Sequence, residues 1–350
     1  MIDNVIAWLE DIGRDVVGSA GGKGANLGEM IRAGIPVPLG FVILTRTYES
    51  FMAETGATES LLPYFKKLPE EPERQYEEIS RTIRSIIETK DMPGDIEDAI
   101  CEYYEKLSQH YGKADITVAV RSSGVAEDAT TASFAGQFET YLNVKGKNEL
   151  TDSVKKCWAS LFTAQAINYR MEKGLPVDGG GIGVCVQKMI NARSAGICFT
   201  VDPVTGNPSK MVIEGNWGMG ESVVQGIVNP DRFTVNKDTL DVESAIIGEK
   251  MLRVVPVEMG TQQEEIPRDK RNEFCLTNDE VKRIAAKAKA VETHYGSPQD
   301  IEWAIDCDLP SPENLFLVQT RPVSVIPEWK SPTSKLIDSM LNLTKRISQG

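Results

Sequence analysis

A mixed helix-and-strand fold with more than one lobe is what this sequence predicts. Three observations carry that expectation. The chain has 350 residues, enough to bury a large core and more than a single core usually serves. Runs with helical spacing of apolar residues are interspersed with short β-branched runs, so both periodicities are present. A glycine-rich break, "DGGG" at 178–181, interrupts the pattern and marks the candidate lobe boundary.

The elements follow in order. "SAGGKGANLGEMIRAGIPVP" (19–38) opens with a flexible glycine pair. Ala25, Leu27, Met30 and Ile31 then recur at helical spacing, and Gly34 is the expected stop. "GFVILT" reads as a strand, with Thr45 positioned to cap the next helix. Residues 70–112 are charged and helix-rich. Residues 116–144 begin with the strand "TVAV", pass through Arg121, Ser122 and Ser123 into a loop of small residues, and end in a second strand. Residues 153–174 read as one amphipathic helix. "GIGVCVQKMI", "SAGICFTVDP" and "KMVIEGNW" read as three buried strands, and 232–246 as a hairpin turning at 236–238. Thr277 and Glu280 form a capping box for a helix that ends at Gly296. "DIEWAIDCDLPSPENLFLVQTRP" (300–322) reads as a hairpin. Residues 326–350 form a polar tail.

Composition narrows the function classes. The net charge of −13 argues against a nucleic-acid surface, which needs a basic excess. No apolar run reaches membrane-spanning length, and the acidic start "MIDNVIAWLEDIGRD" lacks a signal peptide's basic region. The six cysteines show no CxxC spacing, so buried free thiols in a reducing cytoplasm are expected. Only two histidines occur, His110 and His294, both at expected helix ends.

Two segments have the chemistry to cradle a polyphosphate, which requires cations and close-approaching backbone. "GGK" supplies Lys23, and "VRSS…SFAGQ" supplies Arg121 with Ala135 and Gly136. Neither is a Walker loop, and no GxGxxG joins a strand to a helix. The 300–322 hairpin adds carboxylates. Alternation places Asp300, Glu302 and Ala304 on one face, and Gln319 with Arg321 on one face of the second strand, opposite Phe316, Val318 and Thr320. Symmetric pairing sets Glu302 opposite Gln319 and Asp300 opposite Arg321. Glu302 and Gln319 could then hold Mg²⁺ through hard oxygens. A solvated face with an Asp–Arg salt bridge is the bland alternative.

Six segments in order, "GGKGANLGEM", "VAVRSSGVAEDATTASFAGQFETYLNV", "SAGICFTVDPVTGNPSKMVIEGNWGMGESVVQG", "NPDRF", "DIEWAI" and "LVQTRPVSV", span most of residues 17–325. On these the chain resembles the nucleotide-binding domain of the phosphoenolpyruvate synthase, pyruvate phosphate dikinase and rifampin phosphotransferase family. The resemblance implies an α+β ATP-grasp fold whose two lobes, 1–184 and 185–325, clamp Mg·ATP. It implies Lys23, Arg121 and Arg321 as catalytic phosphate ligands. It places Gly136 and Thr140 at the nucleotide phosphates, Gln187 at the adenine, and Glu302 and Gln319 on Mg²⁺. The family usually has Ala-Thr where this chain has Gly124-Val125.

Full-length members of that family carry their catalytic histidine on a separate swivelling domain. Neither His110 nor His294 has that setting. The resemblance therefore implies a partner subunit bearing the histidine, as in phenylphosphate synthase, whose subunits divide the two domains. The expected reaction passes the β-phosphoryl group of ATP to that histidine, with release of AMP and phosphate, and then to phenol or pyruvate, with phenol slightly ahead. A carboxylate–amine ligase releasing ADP and a non-catalytic ATP-sensing module are the alternatives.

Overall fold

The computed structural model describes residues 5–68, 75–125, 128–129, 132–133, 139–176, 178, 180–258, 260–323 and 326–329. The polar tail from 330 onward and Gly136 of "SFAGQ" lie outside them. Strand β1 (Ile6–Trp8) leads through two short 3-10 turns into α1 (Val17–Arg32), and β2 (Gly40–Ile43) follows. Four helices come next: α2 (Thr45–Glu54), α3 (Ala57–Lys67), α4 (Tyr76–Glu88) and α5 (Gly94–His110). Then come β3 (Thr117–Gly124), the two-residue strands β4 (Asp128–Ala129) and β5 (Ala132–Ser133), and β6 (Thr140–Lys145). Helices α6 (Lys147–Ala159) and α7 (Ala164–Lys173) precede β7 (Ile182–Lys188). The remainder runs β8 (Ala192–Phe199), β9 (Lys210–Trp217), α8 (Glu221–Val224), β10 (Asp231–Asn236), β11 (Val242–Ile246), β12 (Leu252–Pro256) and β13 (Thr261–Glu265). It ends with α9 (Arg268–Arg271), α10 (Asn278–Tyr295), β14 (Gln299–Asp306) and β15 (Leu315–Pro322).

Two large antiparallel sheets organise these elements. The first has the order β1-β2-β7-β3-β6, the second β11-β10-β9-β8-β14-β15. Alternation along the first sheet divides its two faces. Phe41, Ile43, Val118, Val120, Val184 and Val186 pack with Phe51, Ile83, Tyr104 and Trp158 of the helices α2 to α6. Val42 and Cys185 point to the other face and join a second core. That core holds Leu27 and Met30 of α1, Ile284 and Ala288 of α10, and Ile301, Trp303 and Leu317 of the hairpin β14–β15. Each such large apolar side chain contributes about 1.5–3 kcal/mol through burial. Helix α1 thus sits where the two sheets meet, and the amphipathic spacing read from residues 25–31 exists to serve both.

Several local expectations hold. The capping box of α10 is formed, with Thr277 Oγ1 accepting from the Glu280 amide, and Gly296 closes the helix at φ +69°. Asn236 Oδ1 accepts from the amides of Asp238 and Thr239 and makes the β10–β11 turn. Gly34 ends α1 at φ +71°.

Others are corrected. Thr45 does not cap α2: the N-cap is Leu44, and the Thr45 hydroxyl donates to the Gly18 carbonyl at 3.5 Å. The single helix expected over 153–174 is two, because Thr163 accepts from the Ala166 amide and starts α7 afresh. The strand "TVAV" continues through Arg121, Ser122, Ser123 and Gly124. The boundary placed at 184/185 falls inside β7, which pairs along its length with β2 and β3 of the first sheet. The chain changes sheet only between Lys188 and Ala192. Among the described residues no helix is long and apolar enough to cross a membrane.

Candidate active site

Four pieces of chain converge on a cavity of about 380 Å³. The first sheet lends Ala119, Arg121, Thr140, Leu142 and Gln187. Lys188 at the end of β7 adds to these, and the crossing between the sheets lends Met189 and Ile190. The second sheet lends Gly196, Glu302, Trp303, Val318 and Gln319, and the start of α8 lends Met219, Gly220 and Glu221. Leu142, Met189, Ile190 and Met219 give it apolar lining of the sort a planar ring needs; Arg121, Glu221, Glu302 and Gln319 give it charge and polarity.

The hairpin has the register its symmetry predicted: Asp300 faces Arg321, and Glu302 faces Gln319. Beyond that pair the register slips. Trp303 faces Leu317, so Val318 has no partner on β14. Strict alternation therefore fails at this point. Val318 joins Gln319 in the cavity lining, Phe316 comes opposite Ala304, and only Thr320 stays buried on the far side, bonded to Gln299 Oε1 at 3.0 Å.

Arg121 crosses from the first sheet to this bulge. Its Nη1 donates to the Val318 carbonyl at 3.1 Å, and its Nη2 lies 3.9 Å from the Glu302 carboxylate. The side chain is 13 % exposed, and its Nε is buried without a hydrogen-bond partner among the described residues. A half-buried guanidinium in a cavity wall, short of one hydrogen-bond partner, fits an anionic ligand.

Lys23 reaches the same strand from behind. At Gly21 the backbone of α1 breaks with φ +73°, and a Cβ there would lie 1.9 Å from the Ser123 carbonyl oxygen. Only glycine permits that approach. It lets Lys23 Nζ donate to the Ser122 carbonyl at 3.0 Å, while Ser123 Oγ accepts from Gly24 N and donates to the Ala20 carbonyl. The two phosphate-cradle segments read separately from the sequence, "GGK" and "VRSS", are thus one structural unit.

The structure brings Arg121, Thr140, Gln187, Glu302 and Gln319 to the cavity wall. Lys23 and Arg321 are not in that wall. Arg321 is exposed and pairs with Asp300 at 3.0 Å. The Gln187 amide is buried and donates to the Pro38 carbonyl at 3.1 Å. Neither histidine lines the cavity: His110 ends α5, and His294 bonds Glu29 at 2.7 Å.

Sequence reading missed Glu221. Burial pushes its carboxyl above the ordinary range, against the hydroxyl of Thr261, which donates at 3.3 Å. The signal was present in "GMGES", a glycine-flanked turn opening a short helix, but nothing local said which cavity it would face.

A divalent cation can be tested against these donors. No group of three or more His, Cys, Asp or Glu side chains among the described residues could hold a metal alone. One carboxylate and one amide, Glu302 and Gln319, stand at paired register positions in the wall. That set fits Mg²⁺, which takes few protein oxygens and completes its shell with water and phosphate.

Over 329 residues the chain is 42% identical to a probable phosphoenolpyruvate synthase of Methanothermobacter thermautotrophicus, covering 94% of this chain and 47% of that protein. It is 43% identical over 325 residues to a probable phosphoenolpyruvate synthase of Archaeoglobus fulgidus, covering 93% and 42%. It is 41% identical over 352 residues to the phosphoenolpyruvate synthase of Aeropyrum pernix, covering 92% and 42%. The chain spans less than half the length of these curated relatives. Residues 17–340 match the profile of the pyruvate phosphate dikinase AMP/ATP-binding domain, a stretch that takes in the whole cavity lining. The chain belongs to the pyruvate phosphate dikinase AMP/ATP-binding domain family.

Proposed function

We propose that this chain binds Mg·ATP in the cavity between its two sheets, as an ATP-grasp clamp, and presents the β-phosphoryl group to a histidine carried by a separate subunit. The observation that carries this reading is Arg121, a half-buried cation that spans both sheets, lines the cavity and keeps its buried Nε without a partner among the described residues. The lobes divide where the chain leaves the first sheet after Lys188, with α1 packed between them.

Each residue has a part in this scheme. The apolar wall of Leu142, Met189, Ile190 and Met219 holds the adenine, with Gln187 behind it fixing Pro38. Arg121, Thr140 and Gly136 take the phosphates, and Lys23 reinforces the positive end of the cradle. Arg321 releases Asp300 and swings to the transferred group, its exposure leaving room to move. Glu302 and Gln319 would hold the magnesium ion, which when bound supplies neutralisation of phosphate charge. Phosphoryl transfer is chiefly positioning and charge neutralisation, so this inventory suffices on the nucleotide side.

The nucleophile comes from elsewhere, because His110 and His294 sit at helix ends outside the cavity wall. The partner's imidazole attacks the β-phosphorus, and the bond to the AMP oxygen breaks. Water then removes the terminal phosphate, leaving phosphohistidine, which passes its phosphoryl group to an acceptor oxygen. The names of the relatives favour pyruvate over phenol as that acceptor.

The test uses ATP labelled in the β-phosphoryl group, with and without a histidine-domain protein, followed by mapping of acid-labile label and analysis of the nucleotide product. Label on the partner's histidine together with AMP is expected. ADP as the product indicates an acyl-phosphate ligase, binding without turnover indicates a sensor, and stoichiometric label on His110 or His294 without a partner overturns the divided scheme.

A further inference from the structure

A second cavity, of about 390 Å³, adjoins the first. The two share Lys188, Met189 and Ile190 in their linings and no other residue. Ile190 is buried and packs with Ala195, Ala304 and Phe316, so the partition between them is filled with side chains. None of Arg121, Thr140, Gln187, Glu302 and Gln319 lines the second cavity. Its walls come from both halves of the fold. The connection between α5 and β3 gives Tyr111, Lys113 and Ile116, and the loop between β14 and β15 gives Asp308 and Leu309. Pro38 ahead of β2 and Phe316 on β15 extend the apolar part.

The charges of this cavity fall into an inner pair and an outer pair. The inner pair is Lys188 and Asp306. The Lys188 Nζ lies 3.4 Å from Asp306 Oδ2 and 5.3 Å from the centre of the Tyr111 ring, and the Asp306 side chain is fully buried. These two satisfy each other and leave no net charge. The outer pair is Lys113 and Asp308, both exposed and carried by different walls. Asp308 is held in place from two sides: its amide donates to Asp306 Oδ1 at 2.9 Å, and Asn191 Nδ2 donates to its Oδ1 at 2.9 Å. Behind the outer pair lie the buried Pro38, Ile116 and Ile190 and the half-buried rings of Tyr111 and Phe316.

That lining selects against simple ions. Asp308 disfavours a lone anion and Lys113 a lone cation, while a small molecule with both signs meets both groups. The apolar surface behind them calls for an apolar side group on the same molecule, and the volume lies in the range of small-molecule sites, about 300–1,000 Å³. We propose that this second cavity binds an apolar α-amino acid, with its carboxylate on Lys113, its ammonium on Asp308 and its side chain against Ile116, Ile190 and Phe316. Nothing in this assignment depends on the nucleotide reading of the first cavity.

The test is isothermal titration of L-phenylalanine into the purified chain without nucleotide. Saturable one-to-one binding at millimolar concentration or below is expected. Two analogues divide the recognition: 3-phenylpropionate lacks the ammonium, and phenethylamine lacks the carboxylate. Each should bind more weakly by roughly threefold to tenfold, the range for one ionic contact to a partly solvated group. Lys113→Met and Asp308→Asn should each weaken L-phenylalanine by the same factor. Both side chains are exposed, and circular dichroism checks that the variants stay folded. Arg121→Met, in the first cavity alone, should leave L-phenylalanine binding unchanged. Absence of binding at millimolar L-phenylalanine overturns the proposal. So does loss of binding in Arg121→Met with Lys113→Met and Asp308→Asn unaffected, which would place the amino acid in the first cavity. Equal affinity for 3-phenylpropionate, unaltered by Asp308→Asn, would make the cavity a carboxylate pocket and overturn the zwitterion.

Discussion

Replacing Glu302 by glutamine removes one negative charge from the cavity with almost no change in shape, so its consequences separate charge from packing. In the chain without nucleotide the cost is small. The Glu302 carboxylate lies 3.9 Å from Arg121 Nη2, too far for a hydrogen bond, and its side chain is 23 % exposed. At that separation and an effective dielectric of about 20, the raw attraction is roughly 4 kcal/mol. Relief of desolvation offsets most of it, leaving a net loss below about 1 kcal/mol. The melting temperature should therefore move by only a few degrees. With nucleotide present the effect reverses in scale. Arg121, freed of its nearest carboxylate, should hold metal-free ATP at least as well as before. The tightening that Mg²⁺ brings should shrink by about tenfold or more, because a hard cation loses its only charged protein ligand in this pair. Isothermal titration of ATP into the chain, with and without Mg²⁺, measures both quantities without a partner protein. A Glu302→Gln variant that keeps the full magnesium dependence of ATP affinity would falsify the assignment.

Lys250→Met should cost about 3–5 kcal/mol of stability, because it takes the cationic partner from the fully buried Asp231 carboxylate, which keeps the amides of Gly248 and Cys275; an unchanged urea midpoint would contradict this, and adding Asp231→Asn should recover part of the loss. The hydrogen bond from His294, then that from the Arg14 amide, holds the Glu29 carboxyl below its ordinary value of 4.5. A depressed carboxyl stabilises the fold above its unfolded value and loses that stability as pH falls through the folded one, so His294→Ala should flatten the loss of urea resistance below about pH 4.5. Burial pushes the thiol of Cys185 up to about 12 and raises those of Cys157, Cys198 and Cys275 as well. Ellman's reagent should therefore label exposed Cys307 first and Cys101 next in the native chain, and the other four only in denaturant.

What could be read from the sequence was local, and what could not was the choice of partner between distant segments. The capping box at Thr277 and Glu280 is satisfied within one turn, so the residues themselves announce it. The β14–β15 register follows from two strands joined by a short loop. Strand β7 is different. Its residues from Ile182 to Gln187 are all buried, so no alternation told which sheet it would join, and the neighbouring glycines at 179–181 drew the boundary towards its start. The break between α6 and α7 hid for a related reason: Leu161 and Phe162 are buried and keep the apolar pattern running through a turn that only the Thr163 cap reveals. The hairpin β12–β13 escaped notice because its second strand, "TQQEE", is polar on both faces.

The slip at Val318 shows how much a purely local feature can still conceal. Alternation fixed the faces of Glu302 and Gln319 correctly, yet the same rule sent Val318 to the far side. A perfect ladder there would keep the Val318 backbone engaged with β14. The skipped position instead presents its carbonyl to Arg121, 197 residues earlier in the chain. Without that bond the guanidinium would have, among the described residues of the hairpin, the Glu302 carboxylate at 3.9 Å. The bulge therefore does two things in one residue: it turns Val318 into cavity wall, and it fastens the cation of the first sheet to the hairpin of the second. Moving the register back by one residue would carry Gln319 away from Glu302 and undo the pair of oxygen donors as well. The irregularity that sequence periodicity cannot see is thus the one on which the geometry of the proposed metal pair and the cation beside it both depend.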